Sequence, residues 1–276
     1  MPPVGSQTDL PTECPPVLTV AGSDNSAGAG IQADLKAISH FGCFGLTAVT
    51  CVVAEIPGLV EAVHPVPARI LGAQIRLAAD AFPLRAAKTG MLYSRTLIRA
   101  TAESLAAIRV PLVVDPVMIA TSGQPLLRPD AMNAYWKEIF PMATVLTPNL
   151  DELAHLTRRK ISSESGLADA GKALADMVGC AVLAKGGHLK SRHAVDFLIH
   201  SGGIDRMESP RVAGMSTHGT GCTYSAAIAA GLALGHDLLS SARRAKHYIS
   251  QAISQTLRWK GSPAQALQHF PRKSAH

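Results

Sequence analysis

Short apolar segments rich in β-branched residues alternate along the chain with longer segments whose apolar residues recur at helical spacing. The short segments are typical of buried strands, and the longer Ala- and Leu-rich segments are typical of helices, several of which open at Ser, Asp or Asn. Strands are predicted at 17–21, 46–53, 110–115, 143–148 and 180–186, and helices at 30–41, 68–79, 94–108, 129–139, 149–156, 164–177, 221–234 and 238–257. This alternation predicts an α/β fold with a mostly parallel central sheet and helices on both faces.

The chain of 276 residues is 47% hydrophobic, which is enough to bury a sizeable core and excludes disorder for most of its length. No Pro- or Ser-rich linker, repeat or low-complexity tract interrupts residues 17–260, so we expect a single domain there. Residues 1–16 lack the basic start and apolar stretch of a signal peptide and are expected to form a disordered lead-in. Residues 261–276 are expected to form a C-terminal tail.

The charge and the cysteines of the chain indicate which kinds of binding partner and which cellular location to expect. The net charge is +6, but the basic residues are scattered except at 158–160 and 243–244, so solvated surfaces are a better interpretation than a nucleic-acid site. No segment approaches the length of a membrane span. The five cysteines include no CxxC pair or Cys/His cluster of the kind zinc requires, which indicates reduced thiols and a cytoplasmic location.

In open α/β sheets, ligands bind beyond the carboxyl ends of the strands, so the residues after each strand are the candidates for chemistry. The first such segment is AGSDNSAGAGIQADLK (21–36), a glycine-bearing loop between a strand and a helix. It is not a P-loop, because no GK[ST] follows, and its glycines do not match the dinucleotide fingerprint. A ligand-binding loop and a tight βα turn are equally compatible with it.

The segment THGTGCTYSAAIAAG (217–231) leads through two glycines into an apolar helix. Gly219 and Gly221 allow backbone N–H groups to converge on one point, which would form an oxyanion or phosphate site at the positive end of the helix. The same field would lower the pKa of Cys222, making it a candidate base or nucleophile. The alternative is a small cysteine buried in the core.

Acidic residues follow the middle strands. Asp115, together with Asn149 and Glu152 at i, i+3 spacing, would place a hydrated Mg²⁺ beside phosphates. Asn149 and Glu152 equally fit a helix-capping box. Lys185, followed by two glycines, is either a phosphate-binding lysine or part of a solvated turn.

Seven motifs in this order resemble the hydroxymethylpyrimidine/phosphomethylpyrimidine kinases of thiamine biosynthesis, a family of the ribokinase-like superfamily. They are AGSD with GAGIQADLK, KTGML (88–92), DPVM (115–118), ATSG (120–123), TPNLDE (147–152), KGGH (185–188) and STHGTGCTYSAAIAAG (216–231). The resemblance covers residues 17–257 and is most specific at GTGC, because most ribokinase-like relatives have aspartate where this family has cysteine. It implies a ribokinase-like fold, ATP and Mg²⁺, phosphorylation of a hydroxymethylpyrimidine and then of its monophosphate, and a homodimer.

Carried over by motif, the resemblance assigns the pyrimidine site to Gly22, Asp34, Met91, Val117 and Cys222. The chain departs from the family at Glu55, in the segment CVVAEIP (51–57), where the family has glutamine. An amide can both donate to and accept from an aminopyrimidine, whereas an ionised carboxylate only accepts. For the phosphate end, we assign ATP to Lys185, Thr217 and Thr220, Mg²⁺ to Asp115 and Glu152, and catalysis to Cys222 with Gly219 and Gly221.

Two alternatives remain at this point. A kinase of the same fold acting on pyridoxal or pyridoxine would place Glu55 against a different ring. A catalytically silent ligand-binding protein is the other alternative, although it has no need for both an anion-binding turn and carboxylates on the metal side. The sequence otherwise indicates a lone kinase domain with a small-molecule substrate.

Overall fold

The computed structural model describes residues 14–120, 123–189, 191–212 and 218–270, and its main feature is a nine-stranded sheet. The order of its strands is β3-β2-β1-β4-β5-β6-β7-β8-β9. Strands β2, β1, β4, β5, β6 and β7 are parallel, and β3, β8 and β9 pair antiparallel at the two edges. The strands are β1 (Pro16–Asp24), β2 (Phe44–Ile56), β3 (Leu59–Pro65), β4 (Ala86–Thr89), β5 (Leu112–Val114), β6 (Val145–Leu146), β7 (Ala181–Lys185), β8 (His193–His200) and β9 (Gly203–Pro210).

Helices cover both faces of this sheet, as the sequence predicts. They are α1 (Gly30–His40), α2 (Ala68–Ala81), α3 (Arg95–Leu105), α4 (Met132–Ala134), α5 (Leu150–Thr157), α6 (Glu164–Val178), α7 (Thr220–Ala233) and α8 (Leu238–Ser254). Alternate residues of each central strand point to opposite faces. Val113 therefore packs with α1, α7 and α8, while its neighbours Leu112 and Val114 pack with α2, α3, α5 and α6.

The prediction of one continuous α-helix at 129–139 is wrong. The segment is a 3₁₀ turn (Pro129–Ala131), the single turn of α4, and a π-helical turn (Tyr135–Ile139). Tyr135 and Phe140 are both buried, with ring centroids 5.6 Å apart. A spacing of five residues matches the π turn better than the α-helix, and the packing of these two rings accounts for the irregular geometry.

The antiparallel edge strands β3, β8 and β9 were not predicted. Strand β3 is largely exposed and lacks the continuous apolar run that marks a central strand. Strands β8 and β9 form a hairpin in which β9 is mostly exposed and polar. Strand β4 was not among the predicted strands either, since its four residues are too few to show a period.

The described structure continues past residue 260 into the segment expected to be a tail. A short antiparallel pair joins β10 (Leu257–Arg258) to β11 (Gln265–Ala266). Leu267 and His269 are then buried against α1 and α8. None of the helices in the described ranges has the length and hydropathy that a membrane span requires.

Candidate active site

One cavity of about 270 Å³ opens where the parallel strands end. Eleven of the thirteen residues that the sequence analysis assigned to a site line it. They are Gly22, Glu55, Met91, Asp115, Val117, Glu152, Lys185, Gly219, Thr220, Gly221 and Cys222. Asp34 lies below the cavity rather than on its wall, and Thr217 lies outside the described residues.

One end of the cavity is mostly apolar. Val53 and Met91 are buried beside Gly22, and Val117 also lines the cavity. A Cβ atom at position 22 would lie 3.2 Å from Met91 Sδ and 3.7 Å from Val53 Cγ2, so a side chain there would occupy this end. Glycine at this position therefore keeps room for a flat ring against the backbone.

Glu55 is the acidic group of the apolar end and lies beside Asp24 and His218. One ligand atom of each of the three side chains lies within 4.8 Å of the others. His218 Nε2 is 3.1 Å from Asp24 Oδ2, and Asp24 also accepts hydrogen bonds from the Ser26 and Ala29 backbone N–H groups. Burial, reinforced by the Asp24 carboxylate, raises the pKa of Glu55 to about 7. Glu55 is therefore poised to change charge near neutral pH.

Asp34 was predicted to contact the substrate, but it does not line the cavity. It is fully buried, and its carboxylate accepts from Thr19 Oγ1 at 2.6 Å and from Lys88 Nζ at 3.0 and 2.8 Å. Lys88 is fully buried as well. An ion pair in the interior satisfies both charges there, so this geometry explains why Asp34 faces Lys88 instead of the cavity.

The other end of the cavity is formed by the N-terminus of α7. Gly219 precedes the helix with φ +77°, and a Cβ atom there would overlap the Gly28 carbonyl. Both the positive φ and this close approach require glycine. The first N–H groups of a helix lack acceptors within the helix, and they carry its positive end charge. The turn at Gly219 aims these groups into the cavity, which suits a phosphate.

Cys222 lies on the first turn of α7 and is partly exposed to the cavity. The expectation that the helix end lowers its pKa is wrong. The pKa of Cys222 is raised to about 12, and burial is the main cause. The Asp34 and Asp115 carboxylates act in the same direction, whereas the nearby Lys88 opposes them. The loss of hydration is thus the dominant influence, and the thiol is neutral at pH 7.

A second buried ion pair stands on the phosphate side of Cys222. Lys185 Nζ donates to Asp115 Oδ1 at 3.0 Å, and Thr147 Oγ1 and Ser225 Oγ lie 3.1 and 3.3 Å from the two oxygens of the same carboxylate. A Cβ atom at Gly221 would lie 3.3 Å from Lys185 Nζ. The lysine ammonium is thus held at the N-terminus of α7, where it adds to the positive charge.

Glu152 forms the capping box that the sequence offered as an alternative. Its Oε2 accepts from the Asn149 backbone N–H at 2.8 Å, and its own N–H donates to Asn149 Oδ1 at 2.9 Å. Burial raises the pKa of Glu152 to about 8; Lys185 opposes this effect and Asp115 adds to it. A carboxyl group on the cavity wall that ionises with difficulty would be stabilised by a cation, so the capping role and a metal role are compatible.

Several charged residues of the site were missed from the sequence. They are Lys88, Asp24 and His218, together with the buried pair Lys246–Asp196, whose Nζ and Oδ2 atoms are 2.6 Å apart. Asp24 and His218 stand within the motifs quoted above, but local spacing does not show that segments 194 residues apart meet. Lys88 and Lys246 sit in apolar or amphipathic elements, where a lysine ordinarily reaches solvent.

The comparisons with known proteins agree with the geometry. The phosphomethylpyrimidine kinase family matches residues 24–265. The hydroxymethylpyrimidine/phosphomethylpyrimidine kinase of Rhizobium meliloti (strain 1021) is 43% identical over 92% of this chain and 97% of its own. Among solved structures, a phosphomethylpyrimidine kinase from Clostridium difficile 630 is 37% identical with a TM-score of 0.77, covering 87% of this chain and 99% of its own.

An ADP complex of pyridoxal kinase from Bacillus subtilis is 32% identical with a TM-score of 0.86, covering 94% of this chain and 98% of its own. The fold is therefore shared between the two kinds of kinase. The family match extends over most of the chain and includes every residue that lines the cavity except Ala21 and Gly22. This chain is a member of the phosphomethylpyrimidine kinase family, with a ribokinase-like fold.

Proposed function

We propose that the protein transfers the γ-phosphoryl group of ATP to the hydroxymethyl group of 4-amino-5-hydroxymethyl-2-methylpyrimidine and then phosphorylates the resulting monophosphate. The observation that carries this proposal is that one cavity joins an apolar region around Gly22 and Met91 to the anion-binding N-terminus of α7, which bears Cys222. Family membership and the name of the Rhizobium meliloti relative support it. ATP as the donor is supported by the ADP complex of the related kinase.

At the anion-binding end, the N-terminus of α7 and Lys185 would hold the phosphate tail of ATP, with Thr220 beside it. Burial alone would lower the pKa of Lys185, but Asp115 and Glu152 raise it above its usual value, so the side chain stays cationic. A fixed cation and preorganised N–H groups stabilise the charge that develops on the transferred phosphoryl group without reorganising. Positioning and charge neutralisation supply most of the rate enhancement in such transfers.

Asp115 and Glu152 fit a Mg²⁺ ion held through water. Their donors are carboxylate oxygens, which Mg²⁺ prefers, and both residues line the cavity. The oxygens are already engaged by Lys185, Thr147 and the Asn149 N–H, so waters of the ion rather than the metal itself would meet them. Mg²⁺ bound to ATP would neutralise phosphate charge; the two carboxylates would orient it.

In its thiolate form, Cys222 would receive the proton of the attacking hydroxyl as the hydroxyl oxygen bonds to the γ-phosphorus and the bond from that phosphorus to the β–γ bridging oxygen of ADP breaks. Cys222 lies on the first turn of α7 and lines the same cavity as Gly22 and Met91, which supports a role for its sulfur beside the acceptor hydroxyl. Because the raised pKa keeps most of the thiol protonated at pH 7, only the minor thiolate form can accept this proton.

A pyridoxal kinase activity is the second candidate. It is favoured by the solved pyridoxal kinases, which superpose with TM-scores of 0.84 to 0.86, and by Glu55, which presents a carboxyl to the ring. The family model and the curated relative favour the pyrimidine. ATP-dependent phosphorylation assayed in parallel on hydroxymethylpyrimidine, its monophosphate, pyridoxal and pyridoxine decides between them. Turnover of the B6 vitamers without turnover of either pyrimidine would overturn the first proposal.

We propose further that the protein is a homodimer in the cytoplasm. Support for the dimer comes from exposed apolar side chains near the end of β2 and the start of β3 at the sheet edge, namely Val52, Ile56 and Leu59. Such patches are typical of protein interfaces. Support for the location comes from the five cysteines, all of which are free. Light scattering on the purified protein and on the Leu59→Lys variant tests the dimer, whose mass should halve if this edge forms the interface.

A further inference from the structure

Two buried lysine–aspartate pairs lie on the face of the sheet that α7 and α8 cover. Lys185 Nζ is 3.0 Å from Asp115 Oδ1, and Lys246 Nζ is 2.6 Å from Asp196 Oδ2. All four residues line the cavity. The proposed mechanism uses the first pair at the phosphate end and gives the second pair no role. A buried ion pair contributes little net stability compared with apolar residues of the same size, so stability alone does not account for the second pair.

Asp196 lies directly opposite Lys185. Strands β7 and β8 are antiparallel, and these two residues are partners in their register. Side chains of directly opposed residues project from the same face of a sheet, with Cβ atoms about 5 Å apart. That face is the one covered by α7 and α8, since Leu183 and Leu198, each two residues away along its strand, belong to the core on that side. The Asp196 carboxylate is therefore within reach of the Lys185 side chain.

A backbone contact also places the Asp196 carboxylate beside Lys185. Asp196 Oδ1 accepts from the Gly186 N–H at 3.0 Å, and Gly186 directly follows Lys185. A Cβ atom at Gly186 would overlap the Val195 carbonyl, so β8 approaches the chain very closely at this point. Lys185 nevertheless pairs with Asp115, which lies on a different strand end, rather than with the aspartate opposite it.

Lys246 occupies the second oxygen of the Asp196 carboxylate. It reaches this group from α8, and its Nζ donates to Asp196 Oδ2 and, at 2.9 Å, to the Ala194 carbonyl. The Lys246 side chain is 9% exposed, so little water competes for these contacts. The charge of Asp196 is thus neutralised by a lysine other than Lys185, and Lys185 remains with Asp115 at the N-terminus of α7.

We propose that Lys246 is a positioning residue for the phosphate-binding end: by holding Asp196, it keeps Lys185 directed at the phosphate tail of the nucleotide. Without Lys246, two buried aspartates would compete for one ammonium. Asp196 would capture it, because an unpaired charge is costly in the interior and Asp196 would retain one backbone N–H, whereas Asp115 retains two hydroxyl donors. The inference rests on the proposed function, in which Lys185 holds the phosphates of ATP.

The affinity for ADP tests this proposal without kinase turnover. The Kd is measured by isothermal titration calorimetry in the wild type, in Lys246→Met, in Asp196→Asn and in the double variant Lys246→Met/Asp196→Asn. We expect Lys246→Met to bind ADP at least about tenfold more weakly, which corresponds to the loss of one hydrogen bond between charged groups. Asp196→Asn and the double variant should stay within about threefold of wild type, because neither has a carboxylate that captures Lys185 and asparagine still accepts from the Gly186 N–H.

The two single variants separate this role from a merely structural one. If the pair only fastens β8 to α8, breaking it from either side should weaken ADP binding, and removal of both charges should not restore it. Equal losses in Lys246→Met and Asp196→Asn, an unchanged Kd in Lys246→Met, or no recovery in the double variant would overturn the proposal. If Asp196→Asn does not fold, the comparison of Lys246→Met with the double variant decides, and equal losses in these two overturn it.

Lys172→Met is the matched control. It breaks a lysine–aspartate pair of 3.0 Å on the exposed face of α6 and should leave the Kd of ADP unchanged. Thermal unfolding shows whether each variant is folded at the assay temperature. If Lys246→Met does not fold, Lys246→Gln takes its place, since its amide can donate to the Ala194 carbonyl but carries no charge. The same loss, and the same recovery on adding Asp196→Asn, are then expected.

The outcome for Lys246 is distinguishable from the outcome for the proposed function. A wild type that shows this pattern with ADP but phosphorylates neither the pyrimidines nor the B6 vitamers would overturn the proposed function and leave the role of Lys246 standing. A wild type that phosphorylates a pyrimidine but shows no recovery in the double variant would do the reverse. A wild type that does not bind ADP would overturn both.

Discussion

At the scale of single residues, we expect Glu55 to make recognition of the pyrimidine ring depend on pH. Its pKa is raised to about 7, so the carboxyl is neutral below that pH and can then donate to a ring nitrogen as well as accept from an amine. Apparent affinity for hydroxymethylpyrimidine should therefore improve as the pH falls from about 8 to about 6. Glu55→Gln should flatten that dependence, because an amide offers both partners at any pH.

The measurement is KM for hydroxymethylpyrimidine against pH in both proteins. His188→Gln is a useful control, since His188 also lines the cavity but lies near the phosphate end, with Nδ1 3.2 Å from Asp151. It should retain the wild-type slope. Parallel, flat profiles in wild type and Glu55→Gln would show that Glu55 does not contact the ring.

Cys222→Ser should lower kcat by about 10²–10⁴-fold while leaving the fold and nucleotide affinity intact, because a positioned proton acceptor contributes about that much. Serine keeps the size of the side chain, but its hydroxyl ionises even less readily than the thiol in the same surroundings. The matched control is Cys180→Ser, a partly exposed cysteine that does not line the cavity and should retain full kcat. An undiminished kcat in Cys222→Ser removes the thiol from catalysis.

The role of a residue was predictable where a local motif contains it. It was not predictable where the role depends on a charged residue far away in the sequence. Gly219 and Cys222 are recognisable because their chemistry depends on a local turn. The pairing of Lys88 with Asp34, 54 residues apart, has no local signal, and neither does the burial that reverses the expected pKa direction of Cys222. Desolvation depends on the whole surroundings of an atom, which a segment of sequence does not contain.

At the scale of elements, the start of α7 depends on Gly219. Gly219→Ala should lower the free energy of unfolding by more than about 1 kcal/mol and also abolish activity, because the added Cβ meets both a positive φ and the Gly28 carbonyl. Gly235, just beyond the other end of α7, has φ +84° with open space around it. Gly235→Ala should show the backbone cost alone, with kcat unchanged. Denaturant titration and kcat of the two variants provide the test.

Glu152 forms a helix cap and is also proposed to act on Mg²⁺. Glu152→Gln should raise the Mg²⁺ concentration for half-maximal rate while leaving Tm nearly unchanged, because glutamine still serves the capping box. Asp151→Asn removes an exposed charge one residue earlier on α5 and should leave the Mg²⁺ dependence as it is. Equal Mg²⁺ dependence in wild type and Glu152→Gln would leave capping as the only role of this carboxyl.

Elements with a strong period were predictable, and those fixed by tertiary contacts were not. Helices α6 and α7 lie within one residue of their predicted bounds, because a capping serine or glycine and a continuous apolar pattern mark them. Strands β3 and β9 are exposed on most of their length, so no buried run identifies them. The π turn at Tyr135–Ile139 follows from packing of the Tyr135 and Phe140 rings, which no propensity describes.

At the scale of the whole molecule, the order of the strands explains why residues far apart in the chain share one cavity. Gly22, Glu55, Met91, Asp115 and Lys185 stand at or just beyond the carboxyl ends of β1, β2, β4, β5 and β7, which are parallel. Parallel strands end at the same edge of a sheet, so the position of the site was predictable from strand ends alone. The depth of each side chain below that edge was not.

The C-terminal segment packs against α1 and α8, and His269 is buried there. Tyr248 Oη lies 3.2 Å from His269 Nδ1 and 3.1 Å from its carbonyl oxygen, and the Tyr248 ring stacks on His40. The His269 Nε2 atom is buried with no partner among the described residues. Burial, with the positive charges of Lys36 and His40, lowers the pKa of His269 to about 4.

This buried imidazole should make the fold sensitive to acid. The pKa of His269 in the folded protein lies below its usual value of 6.5, so the unfolded chain binds a proton at a higher pH than the folded chain does. The neutral, buried His269 therefore contributes to the free energy of unfolding above about pH 6.5. This contribution is lost as the pH falls toward 4. The loss should approach about 3 kcal/mol. His269→Asn should be less stable than wild type at pH 7 and should lose less on acidification, whereas the exposed control His193→Asn should follow the wild-type profile. Denaturant titrations between about pH 7 and 4.5 measure the free energy of unfolding of each protein. A difference between His269→Asn and wild type that stays constant across that range would contradict the buried, neutral state of His269.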